Sequence, residues 1–338
     1  MTQISNKHVY VIAEAGVNHN GNFKTALDMI KVAADCGANA IKFQVFNPQY
    51  LVTKNAPTAE YQKNNTEYTQ QFEMLSRYYL DPAQFVELYN VTKEVGLDFI
   101  ATPFDLASVD FLEELVDYYK VASSDLNNLP LLQRIAEKKK PTILSTGMGT
   151  LGEVEQAVNI FKDTFPPVLL HCTSNYPCTP MNVNLKIMDT LKSAFGNIVG
   201  FSDHTKGIEI ALAAVARGAK VIEKHFTLDQ NLPGPDHKAS LSIMELTALV
   251  HQIDRVTTAI GQSSLKQPTD SELPIKQIAR RSMVLNKNIK KGKVVRAEDI
   301  IMLRPEGGIS PDKLDIVDGL ILTCDKPKDS ILYWSDFK

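Results

Sequence analysis

Residues 198–225 read IVGFSDHTKGIEIALAAVARGAKVIEKH. The stretch opens on a short run (198–201) of β-branched and aromatic side chains and reaches a polar tip at Ser202, Asp203 and His204. It then places Ile208, Ala211, Leu212 and Val215 at helical spacing, and ends on a second strand-like run (220–223) tipped by Lys224 and His225. Strand, tip, amphipathic helix and strand is the pattern of a parallel α/β unit. Working outward, the same unit recurs along the chain, with strand-like runs at 9–13, 40–45, 97–101, 118–121, 142–144 and 168–170 besides the two above. A final helix is expected around Leu246, Leu249, Val250 and Ile253. Eight βα units in about 260 residues match a (β/α)8 TIM barrel. A dinucleotide-binding open sheet is not expected, because no G-x-G-x-x-G follows the first run.

Residues 1–262 are therefore read as the barrel. Residues 263–278, with Pro268, Pro274 and no apolar period, are read as a linker. Residues 279–338 hold short β-like runs, many turn signals and an approximate repeat, GKVVRAEDI (292–300) against KDSILYWSDF (328–337), which predicts a small β-rich module. The connection 46–80 is too long for a plain βα loop and is expected to cover the top of the barrel. Its aromatic series, Tyr50, Tyr61, Tyr68, Phe72, Tyr78 and Tyr79, reads as packing of that excursion.

Composition narrows the function. The 338 residues carry 36 Lys and Arg against 39 Asp and Glu, a formal charge of −3, with 44% hydrophobic residues. Such a chain buries a large core and has no global field for gathering nucleic acid. No apolar run reaches 18 residues and residues 1–8 lack the core of a signal peptide, so a cytoplasmic protein without membrane contact is expected. Cys36, Cys172, Cys178 and Cys324 are scattered without a CxxC pair, which fits reduced thiols rather than a disulfide scaffold or structural zinc site.

Chemistry in such barrels sits at the C-terminal strand ends. The polar residues expected there are Glu14; Lys42 and Gln44; Thr102 and Asp105; Lys120, Ser123, Ser124 and Asp125; Ser145 and Thr146; His171, Thr173, Ser174 and Tyr176; Ser202, Asp203 and His204; Glu223, Lys224 and His225. Two lysines among several hydroxyls suit a phosphorylated, carboxylated anion, although lysines also serve as ion-paired struts inside barrels. His204 and His225 end adjacent strands and would offer two imidazoles to a divalent metal, Mn²⁺ or Mg²⁺ before zinc; the alternative is ordinary hydrogen bonding. Gly147-Met148-Gly149 reads as a tight βα turn rather than a phosphate loop.

Seven motifs taken together resemble the sialic-acid synthase family: AEAGVNHNG (13–21), IKFQ (41–44), KVASSDLNN (120–128), STGM (145–148), HCTSNYP (171–177), FSDH (201–204) and EKHFTLDQNLPGPDHKASL (223–241). The tail, with Leu303-Arg304-Pro305 and Gly308-Ile309-Ser310, resembles that family's antifreeze-like (SAF) domain. The resemblance implies condensation of phosphoenolpyruvate with the open-chain aldehyde of an N-acylated mannosamine-type sugar, giving a nine-carbon 2-keto acid and phosphate. By position, His204 and His225 would bind the metal, with Mn²⁺ ahead of Mg²⁺. Lys42, Lys120, Ser123, Ser145, Ser174 and Ser202 would hold phosphoenolpyruvate. Glu14 and Asp125 would handle protons and the water that adds to C2, and Tyr176 and Asp236 would contact the sugar. Arg304 would arrive from the partner subunit of a domain-swapped homodimer.

N-acetylneuraminate is the leading expected product, with N,N'-diacetyllegionaminate as the alternative and pseudaminate third. Asp125 stands where many members have Glu, Ser124 where Gly is usual, Ser174 where some have Asn, and Glu306 replaces a small residue. Outside this family, the remaining readings are an aldolase using Lys42, Lys120 or Lys224 as a Schiff-base amine and a carbohydrate-binding protein without turnover.

Overall fold

The computed structural model describes Ile4 and residues 8–261 and 263–338, the Tyr61 and Asn64 side chains excepted. Most of the stretch 1–8 thus lies outside the described residues, as does the Tyr61 side chain. The chain divides into two compact units after Gly261.

In the first unit eight parallel strands close into a barrel in chain order: β1 (Tyr10–Gly16), β2 (Ala40–Val45), β3 (Asp98–Pro103), β4 (Tyr118–Val121), β5 (Thr142–Ser145), β6 (Val168–Cys172), β7 (Val199–Asp203) and β8 (Val221–His225). A helix follows each, from Phe23–Asp35 after β1 to Ile243–Ile260 after β8. Local chemistry starts these helices. Asn22 accepts from Thr25 N, and Ser242 forms a capping box with Glu245.

Side chains alternate across each strand, and this sorts them into two cores. Tyr10, Ile12, Ala40, Ile100, Tyr118, Ile143, Val168, Leu170 and Val221 fill the lower barrel interior. The intervening residues, among them Val11, Phe43, Phe99, Leu169, Phe201 and Ile222, pack outward under the helices. The same alternation continued upward aims Glu14, Lys42, Lys120, Ser145, Cys172, Ser202, Glu223 and His225 at the axis.

Several strands outrun the apolar runs that mark them in sequence, β6 to Cys172, β7 to Asp203 and β8 to His225. The cause is that their last residues are polar yet buried, because the barrel supplies partners that a sequence pattern does not reveal.

The 46–80 excursion forms three short helices, Pro48–Leu51, Glu60–Asn65 and Gln71–Tyr78. Val17, Phe46, Met74 and Tyr78 make a small hydrophobic cluster there, with Tyr68 and Leu75 packed against it. Tyr50 stays exposed. Cys36, Cys172 and Cys178 are buried free thiols, and Cys324 is exposed. Among the described residues no helix is long and apolar enough to cross a membrane.

The second unit pairs β9 (Ser282–Leu285) antiparallel to β10 (Ile300–Leu303) around Met283, Leu285, Val295, Ile309, Leu322 and Leu332. The sequence repeat has a structural counterpart. Asp299 Oδ2 accepts from Arg296 N at 3.0 Å and Asp336 Oδ2 from Tyr333 N at 2.8 Å, each buried aspartate closing a 3-10 turn. Part of the stretch read as a linker is ordered. A helix, Leu273–Ala279, begins within it and runs one residue past its end, because Pro274 sits in the first helical turn, where a missing N–H costs no bond.

Candidate active site

Strand register brings distant residues side by side. Glu14 is level with Lys42 on one side and His225 on the other, while Ser202 is level with Cys172 and Glu223. Two buried lysines and two buried glutamates result. Lys42 Nζ lies 2.8 Å from Glu14 Oε2 and 3.8 Å from Glu223 Oε2. Lys120 Nζ lies 3.7 Å from Glu223 Oε1 and donates to Ser145 Oγ at 2.7 Å. Ser202 Oγ donates to Glu223 Oε1 at 3.0 Å, and Gln44 Nε2 reaches Glu14 Oε1 at 3.4 Å.

Burial sets the protonation tendencies and neighbours modify them. Burial pushes the Glu14 carboxyl up, against the lowering pull of Lys42. Burial opposes charge on Glu223 too, but Lys120 and Lys42 together bring it below the ordinary value. Lys42 is raised, since Glu14 and Glu223 outweigh its burial, whereas burial lowers Lys120. Of the two glutamates Glu14 is therefore the readier to carry a proton, and of the two lysines Lys120 gains more from an added anion.

Beside Lys120 the β4 and β5 loops form a pocket of hydroxyls. Gly147 N donates to Ser123 Oγ at 3.0 Å, and Ser123 Oγ lies 3.0 Å from Cys172 Sγ. A Cβ on Gly147 would fall 2.6 Å from Ser174 Oγ, 2.7 Å from Cys172 Sγ and 2.8 Å from Ser123 Oγ. The glycine is thus required by close approach, since a methyl group there would displace three side chains, and this fits the tight βα turn expected from the sequence.

His204 and His225 do meet, with ring centroids 5.7 Å apart and the Tyr176 ring 4.1 Å and 5.7 Å from them. His204 Nδ1 donates to the Thr173 carbonyl at 2.8 Å, which leaves Nε2 without a hydrogen. His225 Nδ1 is buried with no hydrogen-bond partner, beside Gly16, whose φ is +52° and on which a Cβ would fall 3.3 Å from the ring. Burial holds His204 down to about 4 and His225 well below its ordinary value, so both imidazoles are neutral. Among the described residues no group of three His, Cys, Asp or Glu forms a closed metal site. The donor set fits an ion bound by two imidazoles with its other positions open.

Asp236 is buried with Oδ2 4.0 Å from His225 Nδ1; burial and the Glu14 charge push it up to about 7. Asp125 sits apart from the lysine cluster in a 3-10 turn, Ser123–Asp125, accepting from Asn128 Nδ2 at 2.9 Å and Ser124 Oγ at 3.2 Å, and burial raises it. Arg304 is exposed on the second unit, just past β10.

Three strand-end residues turn the other way. His171 Nε2 contacts the Val183 carbonyl at 2.6 Å under the helices. Lys224 Nζ donates to Asp203 Oδ2 at 2.6 Å and to the Thr205 carbonyl at 2.7 Å. The residue between the inward-facing ones at each of these strand tips faces away from the axis, so Lys224 is not a Schiff-base amine at this rim.

Glu223 is the member whose central place composition and spacing alone do not reveal, although its i, i+2 relation to His225 on one strand carries the signal. The AEAGVNHNG motif acts on a loop. Asn18 Nδ2 donates to the Phe226 carbonyl and to Ser240 Oγ, both at 2.8 Å. Asn20 Nδ2 donates to the Pro233 carbonyl at 3.0 Å and Asn20 Oδ1 accepts from His237 Nε2 at 3.2 Å. These bonds clamp the segment that carries Asp236.

The chain is similar to known proteins along nearly its whole length. The model described as NeuB family matches residues 29–265, and the SAF domain model matches residues 280–338. The chain is 44% identical to the N,N'-diacetyllegionaminic acid synthase of Legionella pneumophila, covering 96% of this chain and 93% of that protein. It is also 44% identical to the protein of the same name from Campylobacter jejuni, covering 96% and 99%. A crystal structure of N-acetylneuraminic acid (sialic acid) synthetase from Leptospira borgpetersenii superposes with a TM-score of 0.73 at 39% identity, covering 80% of this chain and 91% of that one.

Proposed function

The chain belongs to the NeuB family, and from that premise we propose that it joins phosphoenolpyruvate to 2,4-diacetamido-2,4,6-trideoxymannose, releasing phosphate and N,N'-diacetyllegionaminate. As a family member it is a phosphoenolpyruvate-dependent carbon–carbon bond-forming enzyme of nonulosonic acid synthesis. The observation that carries the reaction is the buried lysine pair facing hydroxyls on one side and two neutral imidazoles on the other. The choice of sugar is supported by the comparisons, where two relatives named for N,N'-diacetyllegionaminic acid reach 44% identity and the structure described for N-acetylneuraminic acid 39%. They favour the legionaminate alternative over the N-acetylneuraminate reading of the sequence.

In this account Lys42, Lys120 and the hydroxyls of Ser123, Ser145, Ser174 and Ser202 hold the carboxylate and phosphate of phosphoenolpyruvate by charge-assisted hydrogen bonds. Tyr176 and Asp236 hold the sugar with its aldehyde at His204 and His225. These imidazoles are the residues that would bind a divalent ion, Mn²⁺ in our reading, which when bound supplies Lewis-acid polarisation of the aldehyde. C3 of the enol phosphate attacks the aldehyde carbon, and the oxygen becomes the product hydroxyl by taking a proton. Glu14, oriented by Gln44 and raised by burial, is suited to supply that proton. Asp125 is suited to take the proton from the water that adds to C2, after which phosphate departs with the bridging oxygen. Arg304 reaches the N-acyl group from a partner subunit in a cytoplasmic homodimer.

A panel of sugars with phosphate release as readout tests the proposal. Turnover is expected with the diacetamido trideoxy sugar at a kcat/KM at least tenfold above N-acetylmannosamine or its 6-phosphate. A preference for either of the latter would overturn the sugar assignment.

A further inference from the structure

Next to His225 the rim opens into a cavity of about 120 Å³ whose lining divides by chemistry. The strand ends and the clamped loop contribute Gln44, Tyr176, His225 and Asp236, and Tyr78 of the excursion adds a phenol; Val17, Met74 and Leu75 form the remaining side. The second group is one continuous apolar surface, because Val17 and Met74 are buried together in a cluster with Phe46 and Tyr78, and Leu75 packs on it. Gln62 also reaches the cavity, but its carbonyl oxygen already accepts from Ala59 N at 2.9 Å.

We infer that Met74 and Leu75 are specificity determinants that select a 6-deoxy sugar by seating its C6 methyl against this wall. The inference rests on the reaction proposed above, which sets the aldehyde carbon beside His204 and His225. A six-carbon chain starting there passes Asp236 and meets the excursion with its far end. A methyl group gains burial against Met74 and Leu75, whereas a hydroxymethyl group turned to the same two side chains would lose water without gaining a hydrogen bond from either. Apolar pockets discriminate against an added hydroxyl by about 10–100-fold. On this account, the excursion that interrupts the second βα unit covers the barrel top and reads the tail of the substrate.

The test compares two sugars that differ only at carbon 6: 2,4-diacetamido-2,4,6-trideoxymannose and the same sugar with a hydroxyl on that carbon. At saturating phosphoenolpyruvate the full-length enzyme should favour the deoxy sugar about tenfold or more in kcat/KM. Leu75→Asn and, with side-chain length kept, Met74→Gln should each lower that ratio about tenfold. The ratio cancels any general loss of active enzyme, so a partly unfolded variant still reports. An unaltered ratio in both variants, with the deoxy sugar still turned over, would overturn this inference and leave the proposed reaction standing. Absence of turnover with either sugar in the unaltered enzyme would overturn the reaction itself.

Discussion

Replacing His225 with alanine is expected to lower kcat about 10³-fold while the protein keeps its fold. The side chain ends β8 level with Glu14, and its Nδ1 makes no hydrogen bond, so little internal structure depends on the ring. What is lost is one of two neutral nitrogen donors, and polarisation of a carbonyl by a bound divalent ion contributes several kcal/mol to such a step. Chelation by EDTA should abolish activity in the unaltered enzyme and Mn²⁺ should restore it. Calorimetric titration should detect Mn²⁺ binding to the unaltered protein and none to His225→Ala at the same concentration. Full activity after chelation, or in the variant, would remove the metal from the mechanism.

The second large effect is expected at Lys120. Substitution by methionine keeps length and removes the charge that faces Glu223 and Ser145. The kcat/KM for phosphoenolpyruvate should fall about 10²–10³-fold, the range seen when one preorganised electrostatic partner is taken from an active site. The fold should lose less than breaking a buried pair outright, about 3–5 kcal/mol, because Lys42 stays near Glu223 and burying Lys120 is itself unfavourable. Steady-state kinetics with the sugar held saturating, alongside thermal unfolding, would check both parts. A kcat/KM within threefold of the unaltered value would show that Lys120 is a strut of the barrel and not a substrate ligand.

The barrel is legible in the sequence because its determinants are local. The run, tip and helix pattern of 198–225 needs no tertiary information, and repeated eight times it leaves few architectures. Strand ends are less legible. Cys172, Asp203 and His225 belong to strands only because a closed barrel surrounds polar side chains with partners, which a pattern built on apolar residues cannot register.

Direction explains most of the remaining difference at the site. Lys224 and Glu223 are neighbours in sequence, yet one pairs with Asp203 under the helices and the other joins Lys42 and Lys120 at the axis. Parity along each strand, counted from a known inward residue such as Ile12 or Leu170, separates them. The Asn18 and Asn20 bonds to the Asp236 segment span more than two hundred residues, and only the assembled barrel brings those ends together. The helix at Leu273–Ala279 illustrates the opposite error, where a proline suggests a break but occupies a position that tolerates it.

In the proposed reaction one rim adds an enol phosphate to a sugar aldehyde and water to the resulting C2 centre. It is tested most directly with phosphoenolpyruvate carrying ¹⁸O in its bridging position. Mass spectrometry of the phosphate released in the presence of 2,4-diacetamido-2,4,6-trideoxymannose should find the label retained in phosphate, with no release when the sugar is omitted. Unlabelled phosphate, or labelled phosphate formed without sugar, would contradict it.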